Sequence, residues 1–172
     1  MASKSRRESN AWLKKVAADI KGDVLSIGSL NDDDCQGKKY RDYFTSAKSY
    51  TTSDTMAVCG EVDIVLDVRD MSSIEDGTFD CIFCSGVLEH VDDFMKGMRE
   101  MTRILKPGGT LLLGLPFRQA IHVVPEDYWR FTCFGIEYML IDDYDIQEMK
   151  AIDDKDKNFA ASYWTRAIKK NV

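Results

Sequence analysis

Apolar positions recur first at helical steps and then gather into short unbroken runs. Trp12, Leu13, Val16, Ala17 and Ile20 share one face of a helix predicted over 9–21 and stopped at Gly22. The run Asp23-Val24-Leu25-Ser26-Ile27-Gly28 then leads into the polar stretch 29–39, the pattern of a strand buried on both faces that meets a loop. Further strands are predicted over 50–54, 62–67, 79–85 and 110–115, the second and third each ending in aspartate. Met95, Met98, Thr102 and Leu105 line one face of a helix over 92–105, which Lys106-Pro107-Gly108-Gly109 stops. Thr132 can cap another helix running to about residue 142. Strands over 145–152 and 159–169, joined by the charged turn Asp153-Asp154-Lys155-Asp156-Lys157-Asn158, have hairpin spacing.

The β-α alternation followed by a hairpin predicts an α/β fold: a mainly parallel sheet with one antiparallel strand at its end. With 172 residues, 44% of them apolar, the chain has enough material for one substantial core. One domain over 1–172 is expected, with an N-terminal helical region over 1–22 and the hairpin over 145–170.

Charge changes the picture by exclusion. Lys and Arg number 23 against 29 Asp and Glu, a net charge of -6, which argues against a general nucleic-acid surface. The longest apolar stretch, around 111–115, is far short of the roughly 20 residues a membrane-spanning helix needs. Lys4, Arg6 and Arg7 are followed by no apolar region of the kind a secretory signal requires. Five scattered cysteines suit reduced thiols, so the expected location is the cytoplasm. Cys81 and Cys84 form a C-x-x-C pair inside a strand, where residues three apart point to opposite faces; they read as packed core thiols, and no metal is expected.

Ligands of open α/β sheets bind outside the carboxyl ends of the strands, near the point where strand order reverses. Gly28 ends the first strand and would let a ligand approach the backbone. Asp54 ends the second and could accept from two ribose hydroxyls, or serve only in a turn. Asp67 ends the third and could take the exocyclic amine of adenine, or act as a helix cap or salt-bridged loop residue. Asp32, Asp33 and Asp34 could supply carboxylate to a cationic ligand group, or read only as a solvated acidic loop.

A set of motifs goes beyond spacing. Asp67-Val68-Arg69-Asp70, Phe79-Asp80, Val87-Leu88-Glu89-His90-Val91, Arg99-Glu100-Met101-Thr102-Arg103-Ile104-Leu105-Lys106-Pro107-Gly108-Gly109 and Pro116-Phe117 occur in the order and spacing of the class I S-adenosylmethionine-dependent methyltransferases, and the chain resembles their type 11 group. The run from His122 to Thr132 resembles a subgroup. The resemblance implies a Rossmann-like, seven-stranded sheet with its last strand antiparallel and S-adenosylmethionine as cofactor. It would place Ser26 and Gly28 at the methionine part, Asp54 at the ribose, Asp67 and Val68 at the adenine, and Ser85 near the sulfonium. Ser26 stands where the family usually carries an acid, and a serine offers no carboxylate to the cationic methionine end.

Methyl transfer from a sulfonium needs alignment of acceptor, methyl and sulfur and, for many acceptors, removal of a proton. His90 and His122, the only histidines, are the candidate bases. Tyr128 and Trp129 could stack on the acceptor, a small molecule, glycan or protein, or equally pack against the core. A homo-oligomer is left open. The alternatives are a non-catalytic cofactor-binding or scaffold protein with a degenerate first motif and a nicotinamide-dependent oxidoreductase; the second would carry G-x-G-x-x-G after the first strand, which this chain lacks.

Overall fold

The computed structural model describes residues 2–55, 62–123, 125–153 and 157–171. The predicted strands join in one seven-stranded sheet of order β3-β2-β1-β4-β5-β7-β6. Its members are β1 (Gly22–Ile27), β2 (Ala47–Asp54), β3 (Ile64–Val65), β4 (Phe79–Ser85), β5 (Leu105–Pro116), β6 (Tyr144–Ile152) and β7 (Ser162–Lys169). Neighbours from β3 to β5 are parallel, and β7 lies antiparallel between β5 and β6. The middle of the predicted charged turn, 154–156, lies outside the described residues.

The central strands are apolar throughout because both faces are covered. Leu25, Ile82, Leu111 and Leu113 face one core together with Met98, Met101 and Ile104 of α2 (Phe94–Ile104) and Ile136 and Leu140 of α3 (Cys133–Leu140). Val24, Phe83 and Leu112 face the other with Trp12, Leu13 and Val16 of α1 (Lys4–Ala17). Cys81 and Cys84 are buried in opposite cores, so neither can join the other on a metal. The Thr132 hydroxyl caps α3 by accepting from Gly135 N, as predicted.

Four expectations need correction. The first helix begins at Lys4, earlier than predicted, because Ser3 caps it by accepting from Arg6 N. The clear third strand shrinks to Ile64–Val65, since Asp63 leaves the ladder and turns its carboxylate to Thr52 N and Oγ1, both at 2.8 Å. Met95 is exposed, so the methionine stripe belongs to Met98 and Met101. Lys106-Pro107-Gly108-Gly109 does end α2 but does not separate it from the next strand: Phe79 pairs with Leu105 and Cys81 with Thr110, and the four residues loop out of the β5 ladder between those pairs.

The helix signature binds the fold together. Glu100 accepts from Met71 N at 2.8 Å, while Arg103 reaches Glu100, Asp76 and the carbonyls of Met71 and Ile74, fastening the 71–76 segment to α2. At the amino end of β4, Asp80 accepts from Asp23 N and Lys106 Nζ, both at 2.8 Å.

Candidate functional site

Strand order reverses between β1 and β4, and here the carboxyl ends of β1, β4 and β5 open into a cleft of about 750 Å³, a size ordinary for a small-molecule site. Its floor is Ser26 to Leu30, Ser85 and Gly86, and Gly114 to Pro116, with Arg6 of α1 on one wall and Glu89, His90 and His122 on the other.

The loop after β1 forms the first wall. Gly28 has φ +67°, and a Cβ there would lie 2.2 Å from Val87 Cγ2. Glycine is required twice over, by backbone and by space. Gly114 is equally confined, since a Cβ would come within 2.6 Å of Ser85 Oγ. Ser26 is buried, its carbonyl accepting from Ser29 Oγ and Ser53 Oγ.

The expected solvated acidic run is overturned: Asp32 and Asp34 are 4% and 1% exposed. Tyr50 and Arg41 N donate to the Asp32 carboxylate, and Tyr43, Gln36 N and Lys38 N to that of Asp34. Burial pushes the Asp32 carboxyl up and the Tyr50 hydroxyl up with it. Only Asp33 of the three is exposed, and it lines the cleft. Leu30, Asp32 and Cys35 all take positive φ, concentrating backbone strain in this loop.

The other expected cofactor contacts lie outside the lining of the cleft. Asp54 Oδ2 accepts from Leu30 N at 3.0 Å, bracing the loop. Asp67 is forked onto Arg69, its Oδ2 2.7 Å from Nη2, and the guanidinium holds its carboxyl below the ordinary range. Val68 is a core residue beside Gly97. Ser26, Gly28 and Ser85 do line it.

The second wall is a 3-10 turn, Leu88–His90, clasped by the loop after β5. Tyr128 N and Trp129 N both donate to Glu89 O, at 2.8 and 3.2 Å. Trp129 Nε1 donates to Val91 O, and its ring meets Phe94 edge-on. Tyr128 and Trp129, proposed to touch the acceptor, therefore clamp the turn and are absent from the lining. His90 and His122 do come together, with ring centroids 4.8 Å apart. His90 Nδ1 lies 2.6 Å from Glu126 O, which fixes the proton on Nδ1 and leaves Nε2 as an acceptor. His122 Nδ1 has Ala120 O at 3.2 Å and an Asp127 carboxylate oxygen at 3.3 Å, with the same result. Asp127 is held in turn by Arg130 and by His122 N, and Arg130 drives its carboxyl far down.

Sequence reading passed over Glu89. Its side chain is 3% exposed, its Oε1 is 4.0 Å from His90 Nε2, its Oε2 has no hydrogen-bond partner, and burial pushes its carboxyl up. The signal was present in Val87-Leu88-Glu89, an acid directly after two apolar residues in a turn.

Residues 42–113 match the family model described as a methyltransferase domain. Among curated proteins, a ubiquinone/menaquinone biosynthesis C-methyltransferase of Pasteurella multocida is 37% identical over 81 residues, 47% of this chain and 30% of the relative. A ubiquinone biosynthesis O-methyltransferase of Xanthomonas campestris is 38% identical over 68 residues, 37% of this chain and 28% of the relative. The chain thus spans less than a third of the length of these relatives. Among solved structures, the N-methyltransferase NodS of Bradyrhizobium japonicum superposes with a TM-score of 0.73 over 97% of both chains at 17% identity. The 1,6-didemethyltoxoflavin-N1-methyltransferase of Burkholderia thailandensis, solved with its substrate and S-adenosylhomocysteine, gives 0.73 over 97% of this chain and 79% of its own at 16% identity.

Proposed function

We propose that this chain, a class I S-adenosylmethionine-dependent methyltransferase by its motifs, family match and fold, binds that cofactor in the cleft and methylates an acceptor held against the His90–His122 wall. The observation that carries the reading is a cleft at the strand-order reversal lined both by the tightly packed glycines Gly28 and Gly114 and by the two imidazoles of His90 and His122. The residues fit the cofactor in charge as well: Asp33 at the cleft edge can meet a cationic methionine end, supplying the carboxylate that Ser26 lacks.

S-adenosylmethionine, when bound, supplies an electrophilic methyl on a sulfonium. Gly28, Ser85 and Gly114 would hold the donor end, with Asp54 bracing the loop beside them through Leu30 N. With both Nδ1 atoms committed to carbonyl or carboxylate partners, His90 and His122 offer Nε2 to an acceptor proton. Alignment supplies most of the remaining rate, because in-line displacement rewards fixed geometry. A small-molecule acceptor is favoured, as the names of the relatives and of the toxoflavin enzyme indicate for those proteins. Among the described residues no helix is long and apolar enough to cross a membrane, and the buried free thiols Cys81, Cys84 and Cys133 suit a reducing cytoplasm.

Calorimetry with S-adenosylhomocysteine is expected to give saturable binding of one equivalent. Asp54→Ala should weaken it more than Asp67→Ala, because both Asp67 oxygens already face Arg69. Failure of both S-adenosylmethionine and S-adenosylhomocysteine to bind would overturn the reading.

A further inference from the structure

Glu89, His90 and His122 each present a ligating atom, and these atoms lie within 4.8 Å of one another on the cleft wall. Three features make this more than a chance cluster of polar groups. Both imidazoles donate Nδ1–H to a protein oxygen, Glu126 O for His90 and Ala120 O with the Asp127 carboxylate for His122; this orients each Nε2 as a lone pair and is the support that metal-bound histidines regularly receive. Glu89 is almost fully buried yet leaves Oε2 without a partner, and a buried polar atom in that condition costs free energy unless something satisfies it. Among the described residues no Lys or Arg forms an ion pair with Glu89, whose one such contact is His90 Nε2 at 4.0 Å. Carboxylate and two imidazoles together make a mixed nitrogen–oxygen donor set that suits divalent first-row metals.

We propose that Glu89, His90 and His122 bind one divalent transition-metal ion, zinc being the reference case, with an open position toward the cleft. The present separations exceed those around a zinc ion with ligand bonds of about 2.0–2.2 Å, so the ligands must draw in by on the order of 1 Å. The wall can accommodate this because the two histidines stand on separate segments: His90 at the end of the 3-10 turn, His122 in the loop after β5. The open position faces the volume in which the acceptor lies, so this site deepens the methyltransferase reading and, in its catalytic role, rests on it.

That role selects an acceptor with an oxygen donor. A hydroxyl placed on the ion becomes more acidic and loses its proton to water at neutral pH. The oxygen then attacks the methyl carbon; the O–C bond forms as the C–S bond breaks, and the electron pair of that bond stays on sulfur as the neutral thioether. The histidines then act as ligands, and the ion takes over the task assigned above to an imidazole base.

The test uses the full chain after treatment with EDTA. Titration with zinc, followed by calorimetry, should give one equivalent of binding at micromolar affinity or tighter, and cobalt should give a visible spectrum without thiolate charge transfer. Glu89→Gln and His122→Gln should each weaken zinc by more than the roughly 10–100-fold usual for loss of a partner behind a ligand, since each replaces a direct ligand. Both variants should keep the S-adenosylhomocysteine affinity of the parent, which shows that they are folded. Zinc binding that is absent from the parent, or unchanged in both variants, overturns the site. Zinc binding lost in the variants, in a protein that binds no S-adenosylhomocysteine, would retain the metal site and remove the methyltransferase reading instead.

Discussion

The two walls of the cleft are built on opposite plans. The wall after β1 satisfies itself: the buried carboxylates Asp32 and Asp34 have donors from tyrosines and backbone, Asp54 holds Leu30 N, and the serines at 26, 29 and 53 bond one another. The wall of Glu89, His90 and His122 is equally well braced from behind, through Nδ1 of each imidazole, but leaves the buried Glu89 Oε2 without a hydrogen-bond partner. A preformed cradle needs only shape, whereas a reactive wall needs unspent bonding capacity held in place. Under the proposed function, the first wall would bind the donor and the second would serve the chemistry.

Changes confined to one wall should separate the two duties. The largest effect is expected from Gly28→Ala. It forces a side chain into a left-handed backbone, at a cost of about 1–3 kcal/mol, and against Val87 as well. S-adenosylhomocysteine affinity should fall at least tenfold by calorimetry, and an unchanged affinity would contradict the cradle. Next in size is Asp127→Asn on the opposite wall. The amide keeps the shape but weakens the support of His122 N and Arg130, so methyl transfer should drop roughly 10–100-fold through misplacement, with S-adenosylhomocysteine affinity nearly unchanged. Equal losses in transfer and affinity would show the walls to be one unit.

The smallest effect lies away from both walls. The Arg103 guanidinium holds the Glu100 carboxyl below the ordinary range. A depressed native value means that this group stabilises the fold above its unfolded-state pKa and that the contribution is lost as pH falls through the native one. Thermal unfolding followed down from neutral pH should therefore show Glu100→Gln less stable by about 1 kcal/mol or less above pH ~4.5, the two proteins converging in acid. Cofactor affinity at neutral pH should be unaltered.

The fold was legible because its strands and helices write their burial into local periodicity, as in Phe79–Ser85 and the Met98–Met101 face of α2. β3 was overread, since an apolar run does not reveal that Asp63 will turn to Thr52. The burial of Asp32 and Asp34 was hidden for a similar reason: their donors Tyr43 and Tyr50 belong to other segments, and an isolated charge run looks solvated. Gly28, His90 and His122 were singled out from strand ends and residue chemistry and Ser26 and Ser85 from the family resemblance, and all five line the cleft. Glu89 was missed because its meaning depends on His122, 33 positions away, while for Tyr128 and Trp129 the sequence left stacking and packing open because aromatic chemistry says nothing about which way a loop will turn them.

The hold of the loop after β5 on the Leu88–His90 turn runs through two main-chain amides, Tyr128 N and Trp129 N, on a single carbonyl, Glu89 O. Main-chain bonds ignore side-chain identity. The exposed positions between 119 and 123 can therefore be exchanged without letting that turn go, so this short segment is free to drift while the packing behind it is inherited intact.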